Sequence, residues 1–146
     1  MSDGRPAAAH ASAVIAGDIG ILVRGPSGCG KSSLALALID GGAELIADDR
    51  VFLQPAAGRL MATAPAEIAG MIEVRGQGLF KIPYKSPALI RLVADFCRPE
   101  ECGRMPGPGQ DRIVIDGVDL AYIRLPIGII DGALRVRWAA AHCVGS

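Results

Sequence analysis

Residues 25–32 read Gly25-Pro26-Ser27-Gly28-Cys29-Gly30-Lys31-Ser32, which matches the phosphate-binding pattern G-x-x-x-x-G-K-[ST] at every fixed position. The chemistry that needs this spacing is capture of a polyphosphate. Glycines let the backbone wrap an anion, free amides at a helix N-terminus point at it, and a lysine adds a full positive charge. The predicted nucleotide contacts are Gly25, Pro26, Ser27, Gly28, Cys29, Gly30, Lys31, Ser32 and Ser33, with the Ser32 hydroxyl directed at a magnesium ion. A glycine-rich turn carrying a chance lysine is the bland alternative. The flanks argue against it: the apolar run Ile19–Val23 reads as a strand, and Ser33–Ile39 reads as a helix stopped by Gly41-Gly42.

A phosphate loop does not choose a reaction. Phosphoryl transfer also needs a carboxylate near the metal and a group that orients or deprotonates the attacking oxygen. Asp48-Asp49 follows the apolar run Glu44–Ala47, seventeen and eighteen residues beyond Lys31. In an open α/β sheet the end of that strand lies beside the phosphate loop. Two consecutive carboxylates could supply a metal ligand and a base; a solvated Asp-Asp-Arg turn is the alternative. Glu73 and Arg75, in Ile72-Glu73-Val74-Arg75-Gly76-Gln77-Gly78, are expected on one face of a strand, as a surface ion pair or as a metal ligand beside a cation. His10, in an alanine-rich stretch fifteen residues before Gly25, reads on composition alone as a solvated side chain.

The elements that must position these groups are short. Ala13–Ala16 and Ile19–Val23 are expected as a hairpin around Gly17-Asp18, followed by the phosphate loop, its helix to Asp40, and a strand Glu44–Ala47 that Val51–Leu53 could continue. Leu60–Thr63, Met71–Val74 and a central Ala88–Phe96 come next, with a helical turn at Ala66–Gly70. Arg98–Asp111, rich in proline and glycine, reads as a mobile loop. Arg112–Ile115 and Val118–Ile123 flank an Asp116-Gly117 turn, and Gly132–Val144 reads as a terminal helix. The expected class is α/β: a P-loop nucleotide-binding core with a mixed sheet and a C-terminal helix. Residues 1–9 form a loose tail in this reading, and residues 10–146 a single domain.

Composition narrows the partners. A chain of 146 residues that is 51% hydrophobic can bury a core. Fifteen basic residues balance fifteen acidic ones, and the six aromatic residues are scattered, which argues against nucleic acid. The apolar stretch Ala7–Val23 is interrupted by His10, Asp18 and two glycines, so neither a membrane span nor a secretory leader is expected, and the chain is read as cytoplasmic. Cys97-x4-Cys102 lacks zinc-ligand spacing, and all four cysteines (Cys29, Cys97, Cys102, Cys143) are expected as free thiols.

Four elements in order, His10, the phosphate loop, Leu45-Ile46-Ala47-Asp48-Asp49-Arg50-Val51 and Ile72–Gly78, resemble the C-terminal catalytic domain of HPr kinase/phosphorylase. Ala64-Pro65 and Arg104-Met105-Pro106 add to the likeness, which runs from about His10 to Ile130. The resemblance implies a magnesium- and ATP-dependent kinase that phosphorylates a serine of the phosphocarrier HPr. It also implies removal of that phosphate by inorganic phosphate, with release of pyrophosphate, in a hexameric assembly. Lys31 and the loop amides would hold the β- and γ-phosphates, Asp48 would be the acid/base, and Ser32, Asp49 and Glu73 would support metal. His10 would sit close to Asp48, and Arg104 would contact the transferring phosphate. The chain starts near the catalytic domain, as in the compact proteobacterial forms. Pro126–Gly132 lacks the two arginines and the asparagine of the family's P-V-R-P-G-R-N stretch, and the loop after Gly78 is shorter.

Other phosphate-loop classes fit less well. No asparagine occurs anywhere, so the N-K-x-D base-reading motif of GTPases cannot exist; neither an L-S-G-G-Q signature nor an arginine-rich lid is found. A non-catalytic ATP-binding sensor that regulates a partner protein is the alternative from another class.

Overall fold

The longest strand organises the molecule. In the computed structural model, which describes residues 8–103 and 111–144, β9 (Ala88–Cys97) pairs in parallel with β3 (Ile19–Arg24) along one side. On its other side the first half pairs antiparallel with β6 (Arg59–Thr63) and the second half pairs in parallel with β11 (Val118–Pro126). Beyond β3 lie β2 (Ala11–Ala16) and β4 (Glu44–Ala47), both antiparallel to their neighbours. Beyond β6 lie β5 (Val51–Ala56) and the two-residue β1 (Ala8–Ala9), and β10 (Arg112–Ile115) pairs only with β11.

This order forces the sheet to curl. β1 sits at one end of the strand path and β2 next to the other end, yet only His10 separates them. One residue spans no more than about 7 Å between its neighbours' Cα atoms, so the two ends of the path must meet. The curl divides the core in two. Ala13, Ile15, Leu22, Leu60, Ala62, Val93 and Leu120 fill its inside. Val14, Ile21, Val23, Leu92, Ala94 and Phe96 face the other way, onto α1 (Lys31–Asp40) and α2 (Gly132–His142), through Leu34, Leu38, Val136 and Ala139. The alternation along β2, β3 and β9 is the period-2 signature of strands buried on both faces. β7 (Met71–Val74) and β8 (Gly78–Lys81) form a separate hairpin.

The expected class, with its mixed sheet and terminal helix, stands. Several boundaries move. Ala8 and Ala9, expected in a loose tail, hydrogen-bond to Phe52 and Val51 as a strand. Val51–Leu53 does not continue β4: Arg50 N donates to Asp48 O at 2.8 Å and Asp49 takes φ 71°, a tight turn that sends β5 to a different neighbour. β8 was not expected, because its Gly-Leu-Phe-Lys carries no period-2 burial and every residue in it is exposed. Arg75 falls in the turn after β7, closed by Gln77 N donating to Val74 O at 2.9 Å, so Glu73 and Arg75 do not share a strand face. The expectation of four free thiols fails for Cys97 and Cys102, which form a disulfide; Cys29 and Cys143 are free. A 3-10 turn at Pro99–Glu101 folds the chain back after β9 and brings the two Cα atoms to 5.6 Å, within bridging range. Of the Arg98–Asp111 loop, residues 104–110, with Arg104, lie outside the described residues. No helix among the described residues is long and apolar enough to cross a membrane.

Candidate functional site

The phosphate loop leaves the sheet at Arg24 and delivers the chain to α1 at Lys31. Gly30 takes φ 109°, a left-handed conformation that side-chain-bearing residues avoid, and this turns the loop into the helix. Gly25 is required by space: a Cβ there would lie 2.7 Å from Cys29 Sγ and 2.9 Å from Phe96 Cβ. No side chain caps α1 and no acidic residue occupies its first turn, so the first amides and the positive end of the helix dipole are left for an external anion. The Lys31 ammonium donates to the carbonyls of Gly25 at 2.8 Å and Pro26 at 3.2 Å, folded over the loop it would serve.

The register of β2 against β4 brings the carboxylate to this loop. Ala13 lies opposite Ala47, with a register shift immediately after it, so Ser12 falls opposite Asp48. Asp48 is 6% exposed, and both of its oxygens accept hydrogen bonds. Oδ1 accepts from Ser12 Oγ at 2.8 Å and from Ser32 Oγ at 2.7 Å, and Oδ2 accepts from the Glu73 amide at 3.2 Å. Ser12 Oγ in turn accepts the Asp49 amide at 3.1 Å. One buried carboxylate thus joins the hairpin strand β2, the phosphate-loop helix and β7 through three uncharged donors and, among the described residues, no cation.

A second carboxylate stands on the other side of β3. Asp95, near the end of β9, receives Arg24 Nε and Nη2 at 2.7 Å each and Tyr122 Oη at 2.8 Å. Its hydrogen bond raises the Arg24 guanidinium above its ordinary value, against the cost of burial. Burial, and then the bond to Asp95, hold the Tyr122 phenol well above the usual tyrosine value. Further out, Arg124 pairs with Asp111 at 3.0 Å.

The expected site residues separate into three groups. Lys31, Ser32 and Asp48 are brought together with the loop Gly25–Ser33. Asp49 and Glu73 are exposed around Asp48, Glu73 reaching it through its amide rather than its carboxylate, and His10 is exposed in the bend between β1 and β2, two residues from Ser12. Among the described residues no three His, Cys, Asp or Glu side chains converge on one point. A magnesium ion accompanying a nucleotide takes most of its ligands from phosphate and water, so Ser32 with one or two carboxylates suits it, whereas a dedicated protein cage would not be expected. Arg104 lies outside the described residues. Sequence reading passed over Ser12, Arg24, Asp95 and Tyr122. Ser12 carried a signal, as the one polar residue in the otherwise apolar, buried strand β2; Asp95 carried a weaker one, sharing β9 with Arg91.

A phosphate loop between a strand of a parallel pair and a helix, with a buried carboxylate on its serine, is the layout of a P-loop kinase-like fold. The model of the HPr serine kinase C-terminal domain matches residues 5–85, and the chain belongs to that family. It is 52% identical over 137 residues to an HPr kinase/phosphorylase of Clostridium kluyveri, covering 85% of this chain and 44% of that protein. It is 45% identical over 121 residues to the one from Clostridium tetani, covering 80% and 39%. The chain therefore spans about two fifths of the length of these relatives. The solved structure of the Hpr(Ser) kinase/phosphatase from Coxiella burnetii superposes with a TM-score of 0.81 at 26% identity, covering 92% of this chain and 94% of that one.

Proposed function

We propose that this chain carries the catalytic centre that transfers the γ-phosphoryl group of ATP to a serine of an HPr-type phosphocarrier, and that removes it again with inorganic phosphate, releasing pyrophosphate. The single observation that carries this reading is the bond from Ser32 to the buried Asp48, which couples the phosphate loop to a carboxylate in a chain of this family. The uncapped amides of Gly25–Ser33 and the Lys31 ammonium would hold the β- and γ-phosphates. Ser32, with Asp49 and Glu73 at the rim, would hold magnesium, which neutralises charge developing on the transferred group. Asp48 would take the proton of the target serine hydroxyl as its oxygen attacks phosphorus, and return it to the serine oxygen in the reverse direction. His10 would assist from the adjoining bend, and Arg104 would contact the transferring phosphate. Cytoplasmic location and assembly into a hexamer belong to the same reading.

The test is to incubate the protein with magnesium-ATP and an HPr-type phosphocarrier and map phosphate by mass spectrometry. Phosphoserine on the carrier, absent with Asp48→Asn and reversed by inorganic phosphate with pyrophosphate release, is the expected result. Tight ATP binding with no transfer would instead make the chain a nucleotide sensor.

A further inference from the structure

Ser12 contributes nothing to the phosphate loop in sequence, yet it is the most constrained group around Asp48. Its side chain is 0% exposed, and it is the only polar residue besides Asp48 that is fully enclosed among the described residues. A serine hydroxyl has one proton to donate and lone pairs to accept with. Here the Asp49 amide supplies a hydrogen at 3.1 Å, and the proton goes to Asp48 Oδ1 at 2.8 Å, since a carboxylate can only accept. With no water-facing surface, this hydroxyl is held between the Asp49 amide and Asp48 Oδ1. The other hydroxyl on the same oxygen is different. Ser32 is half-buried at the start of α1, free to rotate toward a phosphate-bound ion.

We infer that Ser12 is the positioning residue of this centre: one hydroxyl fixes both members of the Asp48-Asp49 pair, holding Asp48 in place when Ser32 turns to its ligand and keeping Asp49 directed outward. The backbone agrees. Asp49 stands at φ 71°, a conformation that costs about 1 kcal/mol or more for a residue with a side chain, and its amide is tied to Ser12. Ala13 pairs with Ala47 but Val14 with Leu45, so β4 carries Ile46 as an extra residue, an irregularity that re-aims the strand just before Asp48 and sets it opposite Ser12. Ser12 acts through Asp48 and touches neither phosphate nor phosphocarrier in this account, which therefore rests on the proposed phosphotransfer.

Ser12→Ala removes one oxygen atom and leaves the fold's apolar contacts in place. Loss of an outer hydrogen bond that orients a reacting carboxylate typically costs ~10–100-fold in activity, and that is the expected fall in kcat, with KM for ATP changed by less than about threefold. Ser12→Thr, which restores the hydroxyl, should recover part of it. The decisive measurement is the gain in ATP affinity on adding magnesium, read by calorimetry in all four combinations of Ser12→Ala and Asp48→Asn. Ser12→Ala should reduce that gain in the native background and by clearly less once Asp48 is asparagine, the remainder being what Ser12 exerts through the Asp49 amide. An equal loss in both backgrounds, or a folded Ser12→Ala protein with kcat and magnesium gain within about twofold of wild type, would overturn the inference. If the wild-type protein leaves the phosphocarrier unmodified, the proposed function fails on its own, and the affinity cycle still decides the role of Ser12.

Discussion

Asp48 and Asp95 stand on opposite sides of β3, one among β2, β4 and α1, the other among β9 and β11, and each accepts three hydrogen bonds. Their donors differ in kind. Asp95 is gripped by both nitrogens of one guanidinium and by a phenol, so its charge is cancelled and its geometry rigid. Asp48 is held by two hydroxyls and an amide, which orient it without neutralising it. A carboxylate beside a phosphate loop held only by hydroxyls and an amide suits a metal or a proton; one locked to an arginine is a clamp. The Arg24–Asp95 pair joins the last residue of β3 to the C-terminal end of β9, directly before the loop at Gly25 and the Phe96 ring packed under it. In the proposed function the first region reacts, while the second keeps the loop's exit point still.

That contrast can be broken in order of effect. Asp48→Asn should lower phosphotransfer by about 10²- to 10⁴-fold, the range of a lost general base, while the folded protein still binds ATP; an active Asp48→Asn enzyme would remove the distinction. Asp95→Asn should do the reverse, costing about 2 kcal/mol in denaturant unfolding through loss of charge-assisted bonds, with turnover of the folded protein within about threefold. Reducing Cys97–Cys102 should cost up to about 2 kcal/mol, as expected for a short closed loop, again in stability rather than turnover. The smallest effect belongs to Tyr122. Its folded value is raised, so its contribution is complete below the ordinary tyrosine value near 10 and is lost as pH rises beyond it. Tyr122→Phe should cost about 1 kcal/mol at neutral pH and flatten the fall in stability above pH ~10, measured by urea melts across pH.

The phosphate loop and its neighbouring carboxylate were legible in the chain, and the clamp was not. The phosphate loop, its helix and Asp48-Asp49 announce themselves because glycine, lysine and paired aspartates are local signals, readable within a few residues. Ser12 and Asp95 depend on register: Ser12 matters because Ala13 pairs with Ala47, and Asp95 because it runs level with Arg24. Nothing in either segment encodes its partner. The turn at Asp48–Arg50 misled for the same reason, since two short apolar runs look like one strand until a positive φ at Asp49 separates them. The disulfide was hidden by its spacing, unsuited to zinc but compatible with a chain reversed by a single 3-10 turn.

The curl has a consequence for how copies of this chain meet. A sheet that ends in open strands offers unpaired amides and carbonyls as a template for a neighbour. Here β1 covers Val51 and Phe52 at the edge of β5, whose outer half carries Pro55, a residue with no amide to donate. On β4, the chain around Tyr84 lies alongside Leu45, and Lys85 N donates to Leu45 O at 2.8 Å. Two alanines and one lysine amide thus guard the two ends of the path from β1 to β4, where the sheet would otherwise invite strand addition. Trimming the chain to begin at His10 strips one guard while leaving every phosphate-loop residue in place, and solubility would suffer before nucleotide binding did.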